Sequence, residues 1–310
     1  TAGCRWMDGT SAGDRPMLQL KAPAKLNLFL HVTGQRTDGY HLLQSLFVPI
    51  NWCDEIEIRS THNGTIERRS DHPWSSEDDI CIKAARQLKA VAVSRGLMRP
   101  SLGCDIFIHK SIPHGAGLGG GSSDAASCLK GLLDLWQINM SHRELAEIGL
   151  GLGADVPFFL RSGPALVTGI GETQQRLVPA AKHFVVAVPH VEIATARIFQ
   201  STSLERNNPA LNDNAIQAEL AQPVWTLGRN DLCKVAFELF PELRIDFDLL
   251  IQAARQQGLP AQAVKMSGSG SALFCSCASE AQARELVNLL ASSAAGGERF
   301  RGLRAVQAYL

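Results

Sequence analysis

The sequence lacks a charge imbalance. Its 310 residues include 30 lysines and arginines and 30 aspartates and glutamates, so the formal net charge is zero. Nucleic-acid surfaces and basic membrane anchors both depend on an excess of positive charge. We therefore expect neither a nucleic-acid nor a membrane partner.

Long hydrophobic runs are also missing. No apolar stretch approaches the roughly 20 residues that a membrane-spanning helix needs. Residues 1–17 are polar and rich in glycine, without the apolar segment of a signal peptide. We interpret residues 1–18 as a disordered tail or an expression scar, and we expect a cytoplasmic protein.

The eight cysteines form no recognisable metal or redox motif. The closest pair, Cys275 and Cys277, has neither zinc-knuckle nor thioredoxin-type spacing. We expect buried free thiols in a reducing compartment, and the sequence predicts no metal ligands.

The periodicity predicts a mixture of strands and helices without strict alternation. Alternating residues predict strands at Leu26–Val32, Leu46–Ile50, Glu55–Arg59 and Cys104–His109. A helix is predicted from Ser122 to about Trp136, and capping boxes are indicated at Ser76 with Asp79 and at Ser141 with Glu144. At about 150 residues per domain, this pattern predicts two α+β domains, joined near residues 165–185.

A glycine-rich loop is the strongest functional signal. Five of the seven residues in Gly115–Gly121 are glycine, so backbone N–H groups can approach a ligand closely. The helix predicted to follow favours an anion at its N-terminus, and Ser122 and Ser123 offer hydroxyls to a phosphate or a magnesium ion. The alternative is a flexible tight turn. That alternative is disfavoured because ordering so many adjacent glycines costs conformational entropy, which a turn alone does not explain.

Two familiar phosphate motifs do not fit this loop. Gly115, Gly117 and Gly120 match G-x-G-x-x-G, but Ser111–His114 separate the loop from its strand and no acidic strand end follows about 20 residues later. The Walker A motif fails because no lysine precedes Ser122. A third kind of phosphate loop is indicated.

The run from Pro113 to Ala126, PHGAGLGGGSSDAA, resembles the phosphate loop of the GHMP kinases, which include galactokinase and the homoserine, mevalonate and phosphomevalonate kinases. Lys25–Leu28 resembles the first motif of that family, and Gly268–Gly270 resembles the third. Three wider blocks, Pro23–Leu30, Gly34–His41 and Leu152–Phe159, are similar to the branch of the family that acts on 4-diphosphocytidyl-2-C-methyl-D-erythritol.

This resemblance implies a two-domain GHMP kinase fold of the α+β class. Residues 19–175 are expected to form a ribosomal-S5-like, ATP-binding N-terminal domain, and residues 176–310 a ferredoxin-like, substrate-binding C-terminal domain. It also implies transfer of the γ-phosphoryl group of ATP, bound with Mg²⁺, to the 2-hydroxyl of the substrate. The product is the 2-phosphate, an intermediate of the non-mevalonate isoprenoid pathway. We expect a monomer or a weak homodimer.

Residue roles follow from the same resemblance. Asp155 is expected to be the catalytic base, with Lys25 nearby to keep it ionised and to offset charge on the phosphoryl group. Taken alone, an aspartate such as Asp155 is often only a helix or turn cap, and Lys25 is better interpreted as a solvated lysine at a strand start. The motif reverses this preference for Lys25. The residues expected to bind ATP are Pro113, Gly115, Gly117, Leu118, Gly119, Gly120, Gly121, Ser122, Ser123 and Gly268.

Four residues are expected to bind the phosphoryl acceptor. Asn27 shares a strand face with Lys25 and is a candidate for holding substrate hydroxyls. The resemblance implies that Tyr40 stacks on the cytosine and that His41 bonds its edge, although a surface aromatic in a loop is the alternative for Tyr40. Thr195 resembles a substrate-contacting threonine of the second domain.

Three other functions remain open. A kinase for homoserine or mevalonate is disfavoured by Tyr40 and His41, since those substrates carry no base. A non-catalytic nucleotide-binding protein is disfavoured because Lys25 and Asp155 are both present. A dinucleotide-dependent oxidoreductase is disfavoured by the missing acidic residue, and NAD binding would revive it.

Overall fold

The computed structural model describes residues 5–6, 17–69, 79–292 and 298–309. The strands of this part of the chain are β1 (Arg5–Trp6), β2 (Met17–Gln35), β3 (His41–Thr61), β4 (Ile66–Arg69), β5 (Gly103–His109), β6 (Ala165–Gly169), β7 (Thr173–Arg176), β8 (His183–Pro189), β9 (Val264–Met266), β10 (Leu273–Cys277) and β11 (Phe300–Gln307). The helices are α1 (Ile80–Ser94), α2 (Gly120–Trp136), α3 (His142–Leu152), α4 (Val156–Leu160), α5 (Thr195–Phe199), α6 (Asp213–Leu220), α7 (Cys233–Leu239), α8 (Pro241–Gln256) and α9 (Glu280–Ser292), with a 3₁₀ turn at Ala261–Ala263.

Contacts between residues divide the chain into two compact units. Unit 1 takes its described residues from Thr1–Ala24, Cys53–Ile112 and Gly119–Ser162, and unit 2 from Lys25–Trp52, Pro113–Leu118 and Gly163–Leu310. Strands β2 and β3, which are neighbours in a sheet, therefore contribute residues to both units. The predicted division into domains of residues 19–175 and 176–310 stays a prediction.

Unit 1 combines a mixed sheet with helices α1 to α4. Strand β5 pairs antiparallel with the end of β3, from Glu55 opposite His109 to Thr61 opposite Gly103, and pairs parallel with β4. Helix α2 approaches this sheet closely at Gly131, where a Cβ would lie 2.5 Å from Leu20 Cδ1. This close packing positions the N-terminus of α2 and the glycines that precede it.

The caps of unit 1 agree in part with the sequence patterns. Ser141 and Glu144 form the predicted capping box at the start of α3. Asp79 is itself the N-cap of α1, and its carboxylate accepts from the N–H groups of Cys81 and Ile82 at 2.7 and 3.2 Å. The predicted partner Ser76 lies outside the described residues.

Unit 2 contains an antiparallel sheet with the strand order β11-β8-β10-β9. Helices α7, α8 and α9 contribute to a core cluster that includes Leu250, Leu286 and Val264. In the same unit, β6 pairs with the beginning of β3, and β7 pairs with β6. None of the helices described in either unit combines the length and the apolar character that crossing a membrane requires.

The mixed, non-alternating order of strands and helices confirms the predicted α+β class. Leu46–Ile50 and Glu55–Arg59 are confirmed as extended, and the backbone also stays extended between them, so both belong to the single strand β3. The polar residues between them break the sequence pattern, yet Asp54 is fully buried and Asn51 accepts from the N–H of Gln307 at 2.8 Å. The side chains of Asn51 and Asp54 accept hydrogen bonds from backbone N–H groups of other segments, and the strand continues through them.

Two further expectations concern the cysteines and the N-terminus. Five cysteines of the described part are buried free thiols, as predicted: Cys81, Cys104, Cys128, Cys275 and Cys277. Within residues 1–18, the structure describes only Arg5–Trp6 and Met17–Leu18, and β1 pairs with β2 there. The rest of that predicted tail lies outside the described residues.

Candidate active site

Lys25 and Asn27 lie on β2 and form a buried polar pair. Lys25 is only 3% exposed, so its alternative role as a solvated lysine is wrong. Its Nζ lies 2.5 Å from Asn27 Oδ1 and 5.0 Å from the centroid of the Phe47 ring. Asn27 Nδ2 donates to Ser45 Oγ at 2.9 Å, which turns the amide oxygen towards the ammonium. Asn27 thus orients Lys25, and its predicted contact with substrate hydroxyls stays a prediction.

The phosphate loop and the segment that carries the third motif meet in unit 2. The N–H of Ala272 donates to Ala116 O at 2.9 Å, and Ser267 Oγ donates to Gly117 O at 3.1 Å. Gly117 has φ +70°, and a Cβ there would lie 2.2 Å from Ser267 O. Only glycine fits a left-handed residue pressed against another loop. The structure therefore brings together two motifs that are 150 residues apart in the sequence.

Lys25 lies beside both of these segments. Its N–H donates to Leu118 O at 2.9 Å, and a Cβ on Gly268 would be 3.2 Å from Lys25 Nζ. Asn27 N–H also donates to Ser267 Oγ at 3.3 Å. Within unit 2, residues of all three predicted GHMP kinase motifs thus lie beside Lys25 or Asn27.

Asn230 and Lys265 hold the third motif, and sequence reasoning missed both. Asn230 Nδ2 donates to Met266 O and Gly268 O at 2.8 and 2.7 Å. Lys265 Nζ donates to the carbonyls of residues 226, 227 and 228 at 3.0, 2.8 and 2.5 Å. Burial lowers the pKa of Lys265 to about 8. The only sequence signal for Asn230 is its place in a turn-like stretch after Gly228.

The remainder of the glycine loop begins α2 in unit 1. Gly119 is the N-cap with φ +70°, and its carbonyl accepts from Ser123 N–H at 2.9 Å. The N–H groups of the first turn are therefore available to a ligand. The hydroxyl of Ser123 is buried and has no hydrogen-bond partner among the described residues. This arrangement is typical of a site for phosphate oxygens and their counter-ion.

Asp155 stands between α3 and α4, in the same unit as the α2 N-terminus. It is the N-cap residue of α4, but its side chain makes no capping hydrogen bond, so the capping alternative does not describe it. Gly153, two residues earlier, lies against α2: a Cβ there would be 3.8 Å from Ser122 Oγ. Lys130 Nζ of α2 also donates to Phe159 O of α4 at 2.9 Å. The segment that carries Asp155 is therefore packed at the start of α2.

A buried ion cluster supports the phosphate loop from the strand side, and sequence reasoning missed it. Lys110 follows β5, and its Nζ bonds to Asp54 and lies 2.6 Å from Asp124 Oδ2. Asp54 Oδ1 also accepts from the N–H groups of Ser111 and Ile112 at 2.6 and 2.8 Å. Burial raises the pKa of Asp124 to about 7, although the Lys110 ammonium opposes this shift. The cluster joins the end of β5 to the first turns of α2.

The residues predicted to bind the base lie after the β2–β3 turn. Tyr40 is 60% exposed, and the turn is closed by a hydrogen bond from Arg36 N–H to Tyr40 O at 2.8 Å. His41 begins β3, and its ring centroid is 4.9 Å from that of Phe199. An exposed aromatic next to a half-buried histidine offers a stacking face and a polar edge.

Thr195 is the first residue of α5, and its Oγ1 is 2.8 Å from Ser269 Oγ. The structure therefore brings this predicted substrate residue to the third glycine motif. No metal cluster of three or more His, Cys, Asp or Glu side chains occurs within the described ranges.

Comparisons with known proteins point to one family. Residues 79–163 match the GHMP kinases N terminal domain. The chain is 40% identical over 295 residues to the 4-diphosphocytidyl-2-C-methyl-D-erythritol kinase of Polynucleobacter necessarius subsp. necessarius, covering 94% of this chain and 95% of that protein. The protein of the same name from Paracidovorax citrulli is 44% identical over 265 residues, covering 84% and 87%.

Solved structures agree. A crystal structure of 4-(cytidine 5'-diphospho)-2C-methyl-D-erythritol kinase has a TM-score of 0.74 at 31% identity, covering 94% of this chain and 99% of the other. Homoserine kinase from Cytophaga hutchinsonii has a TM-score of 0.63 at 17% identity over 98% of both chains, which is similarity of fold alone.

Proposed function

The chain belongs to the family of 4-diphosphocytidyl-2-C-methyl-D-erythritol kinases, and from this premise we propose that it transfers the γ-phosphoryl group of ATP to the 2-hydroxyl of that alcohol. The products are ADP and the 2-phosphate, an intermediate of the non-mevalonate isoprenoid pathway. The observation that carries the residue assignments is the packing of Gly153, two residues before Asp155, against Ser122 in the first turn of α2.

Asp155 is proposed as the general base. A hydroxyl becomes a better nucleophile as its proton passes to a carboxylate, and this carboxylate is half-buried and does not cap α4. The transferred group needs little covalent help, so positioning and charge stabilisation supply most of the rate enhancement. Asp155 therefore has to hold and orient the 2-hydroxyl as well as accept its proton.

The loop from Gly115 to Ser123 is proposed to hold the ATP phosphates. The N-terminal N–H groups of α2 bind phosphate oxygens, and the helix dipole favours their negative charge. Gly268, which lies against Gly117 O within unit 2, is assigned to the same nucleotide. Lys25 offsets charge that develops on the moving phosphoryl group, with Asn27 holding its ammonium in place.

Magnesium is proposed to arrive with the nucleotide. Hydroxyl oxygens suit this hard cation, which commonly takes its other ligands from phosphate and water. The buried Ser123 hydroxyl, unpartnered among the described residues, and the half-buried Ser122 hydroxyl fit that role. When bound, the ion neutralises phosphate charge.

The cytidine end is proposed to bind Tyr40 and His41, with Thr195 contacting the substrate near the third motif. These contacts separate this reaction from phosphorylation of homoserine or mevalonate, which carry no base for Tyr40 to stack on. Specificity for the cytidyl substrate is thus a property of the β2–β3 turn.

The test measures ADP release from Mg-ATP with 4-diphosphocytidyl-2-C-methyl-D-erythritol, homoserine or mevalonate. We expect turnover with the first alone, and a loss of about 10²- to 10⁴-fold in kcat for Asp155→Asn. Asp213→Asn, at the exposed start of α6, is the matched control and should keep wild-type rates. Turnover with another alcohol overturns the substrate, and a variant within tenfold of wild type overturns the base.

A further inference from the structure

His41 has one neighbour that determines which of its ring nitrogens carries a proton. We propose that Arg206 is a positioning residue that holds His41 as the neutral Nδ1–H tautomer, so that His41 presents a hydrogen-bond donor to the base of the nucleotide substrate. This inference rests on the proposed function and deepens it, because it states which kind of atom on the base His41 can recognise.

The hydrogen bond between the two side chains has only one chemically allowed direction. Arg206 Nε lies 3.1 Å from His41 Nε2. A guanidinium has five N–H donors and no acceptor, so His41 Nε2 must accept with its lone pair. A neutral imidazole whose Nε2 accepts carries its proton on Nδ1.

The guanidinium is itself fixed by backbone carbonyls. Nη1 donates to Leu204 O at 3.0 Å, and Nη2 donates to Phe199 O and Ser201 O at 3.2 and 2.8 Å. These carbonyls belong to the chain that leaves the end of α5. With its other nitrogens engaged, Arg206 can direct Nε only towards His41.

The surroundings also favour the neutral ring. Burial and the positive charge of Arg206 together lower the pKa of His41 below its usual 6.5. A protonated ring would bring two cations into contact and leave both N–H groups, Nε2–H and Arg206 Nε–H, facing each other. Within the described ranges no group accepts from Nδ1, so this donor is available to a ligand.

The consequence is a defined preference at the base. Cytosine presents acceptors at N3 and O2, whereas uracil carries a proton on N3. A single N–H donor held in place by Phe199 and Arg206 suits N3 of cytosine, which accepts, and not N3 of uracil, which donates. Specificity thus depends on an arginine 165 residues away from the histidine it orients.

The first test determines the tautomer of His41 in the wild-type protein. Nitrogen and carbon NMR shifts of the nine histidine rings report tautomer and charge, and His41→Asn identifies the His41 signal by its disappearance. We expect a neutral Nδ1–H ring at pH 7 in the substrate-free protein. A neutral Nε2–H ring, or an imidazolium, overturns the proposal.

The second test separates positioning from general stability. In Arg206→Met we expect mixed tautomers, a KM for the cytidyl substrate about tenfold higher, and kcat and the KM for ATP within about twofold of wild type. Arg244→Met removes an exposed arginine of α8 and is the matched control. Equal KM values for wild type and Arg206→Met in a folded, active enzyme contradict the proposal.

A third comparison uses the shape of the side-chain amides. An asparagine amide places its N–H₂ near the position of Nδ1, and a glutamine amide near that of Nε2. We therefore expect His41→Asn to raise the KM less than His41→Gln. The reverse order contradicts the inference, whereas absence of wild-type turnover contradicts the proposed function itself.

Discussion

Unit 1 buries Lys110 and unit 2 buries Lys265 next to a glycine-rich segment, and the charges of these two lysines are compensated differently. Lys110, at the end of β5, bonds to the carboxylates of Asp54 and Asp124, and these attractions raise its pKa against the effect of burial. Lys265, in β9, bonds to three carbonyls, and burial lowers its pKa to about 8. Carboxylates compensate the cost of burying an ammonium group fully, whereas neutral dipoles do so in part.

The difference shows how the two loops are supported. The loop at the start of α2 is anchored by an ion cluster, because Asp54 also binds the N–H groups that lead into it. The third motif is anchored by neutral hydrogen bonds from Asn230 and by backbone packing against Gly117. We expect the two units to respond differently to loss of charge, to added methyl groups and to pH.

Removing the ammonium group of Lys110 should lower the free energy of unfolding by the largest amount. Lys110→Met leaves the buried carboxylates of Asp54 and Asp124 without a counter-ion, which costs about 3–5 kcal/mol when one partner of a buried pair is lost. Urea unfolding measures the change. Lys234→Met, which breaks an exposed pair with Glu205, is the control and should cost less than about 1 kcal/mol.

Adding Asp124→Asn to Lys110→Met sharpens this comparison. The second substitution removes one of the two buried carboxyl groups that lose their ammonium partner, so part of the lost stability should return. If Lys110→Met costs as little as Lys234→Met, the ion cluster does not support the loop.

Adding a methyl group should affect the two parts of the glycine-rich loop Gly115–Gly121 differently. At Gly117 a Cβ would meet Ser267 O at 2.2 Å on a left-handed backbone, for a cost of about 2–4 kcal/mol in strain and overpacking. At Gly121, in the first turn of α2, the nearest atom is Ile80 Cγ2 at 3.9 Å. Gly121→Ala should leave stability unchanged or raise it by up to about 1 kcal/mol.

Thermal or urea unfolding of the two alanine variants tests this difference. The KM for ATP of Gly121→Ala tests in addition whether phosphate approaches the backbone there. Similar stability losses for Gly117→Ala and Gly121→Ala would show that backbone packing does not distinguish the two parts of the loop.

These contrasts also show what the sequence predicts well. Strand alternation, caps and the glycine loop are local, so β5, α2 and the capping box of α3 follow from neighbouring residues. The three family motifs also share contacts in the structure, where Gly268 lies against both Lys25 and Gly117. The roles expected of these residues stay predictions.

The supports of the site are not local, and therefore no pattern predicts them. Asp54 binds residues 57 and 58 positions later, and Asn230 binds Gly268 across 38 positions. Periodicity indicates which residues face a core. Hydrogen-bond partners that are far apart in the sequence are determined by tertiary packing, which periodicity does not contain.

The two lysines should also differ in how their contributions to the free energy of unfolding depend on pH. The pKa of Lys265 is about 8 in the folded protein and about 10.4 in an unfolded chain. Between these values the unfolded chain keeps a proton that the folded protein has released, so raising the pH favours folding, by up to about 3 kcal/mol. The pKa of Lys110 is raised instead, so its contribution is present below the unfolded value and is lost as the pH rises above it.

Urea unfolding from pH 7 to 11 measures both effects. The stability difference between wild type and Lys265→Met should grow with pH. The stability difference between wild type and Lys110→Met should shrink at the upper end of this range. Parallel pH profiles for the two variants would mean that carbonyls stabilise a buried ammonium as fully as carboxylates do.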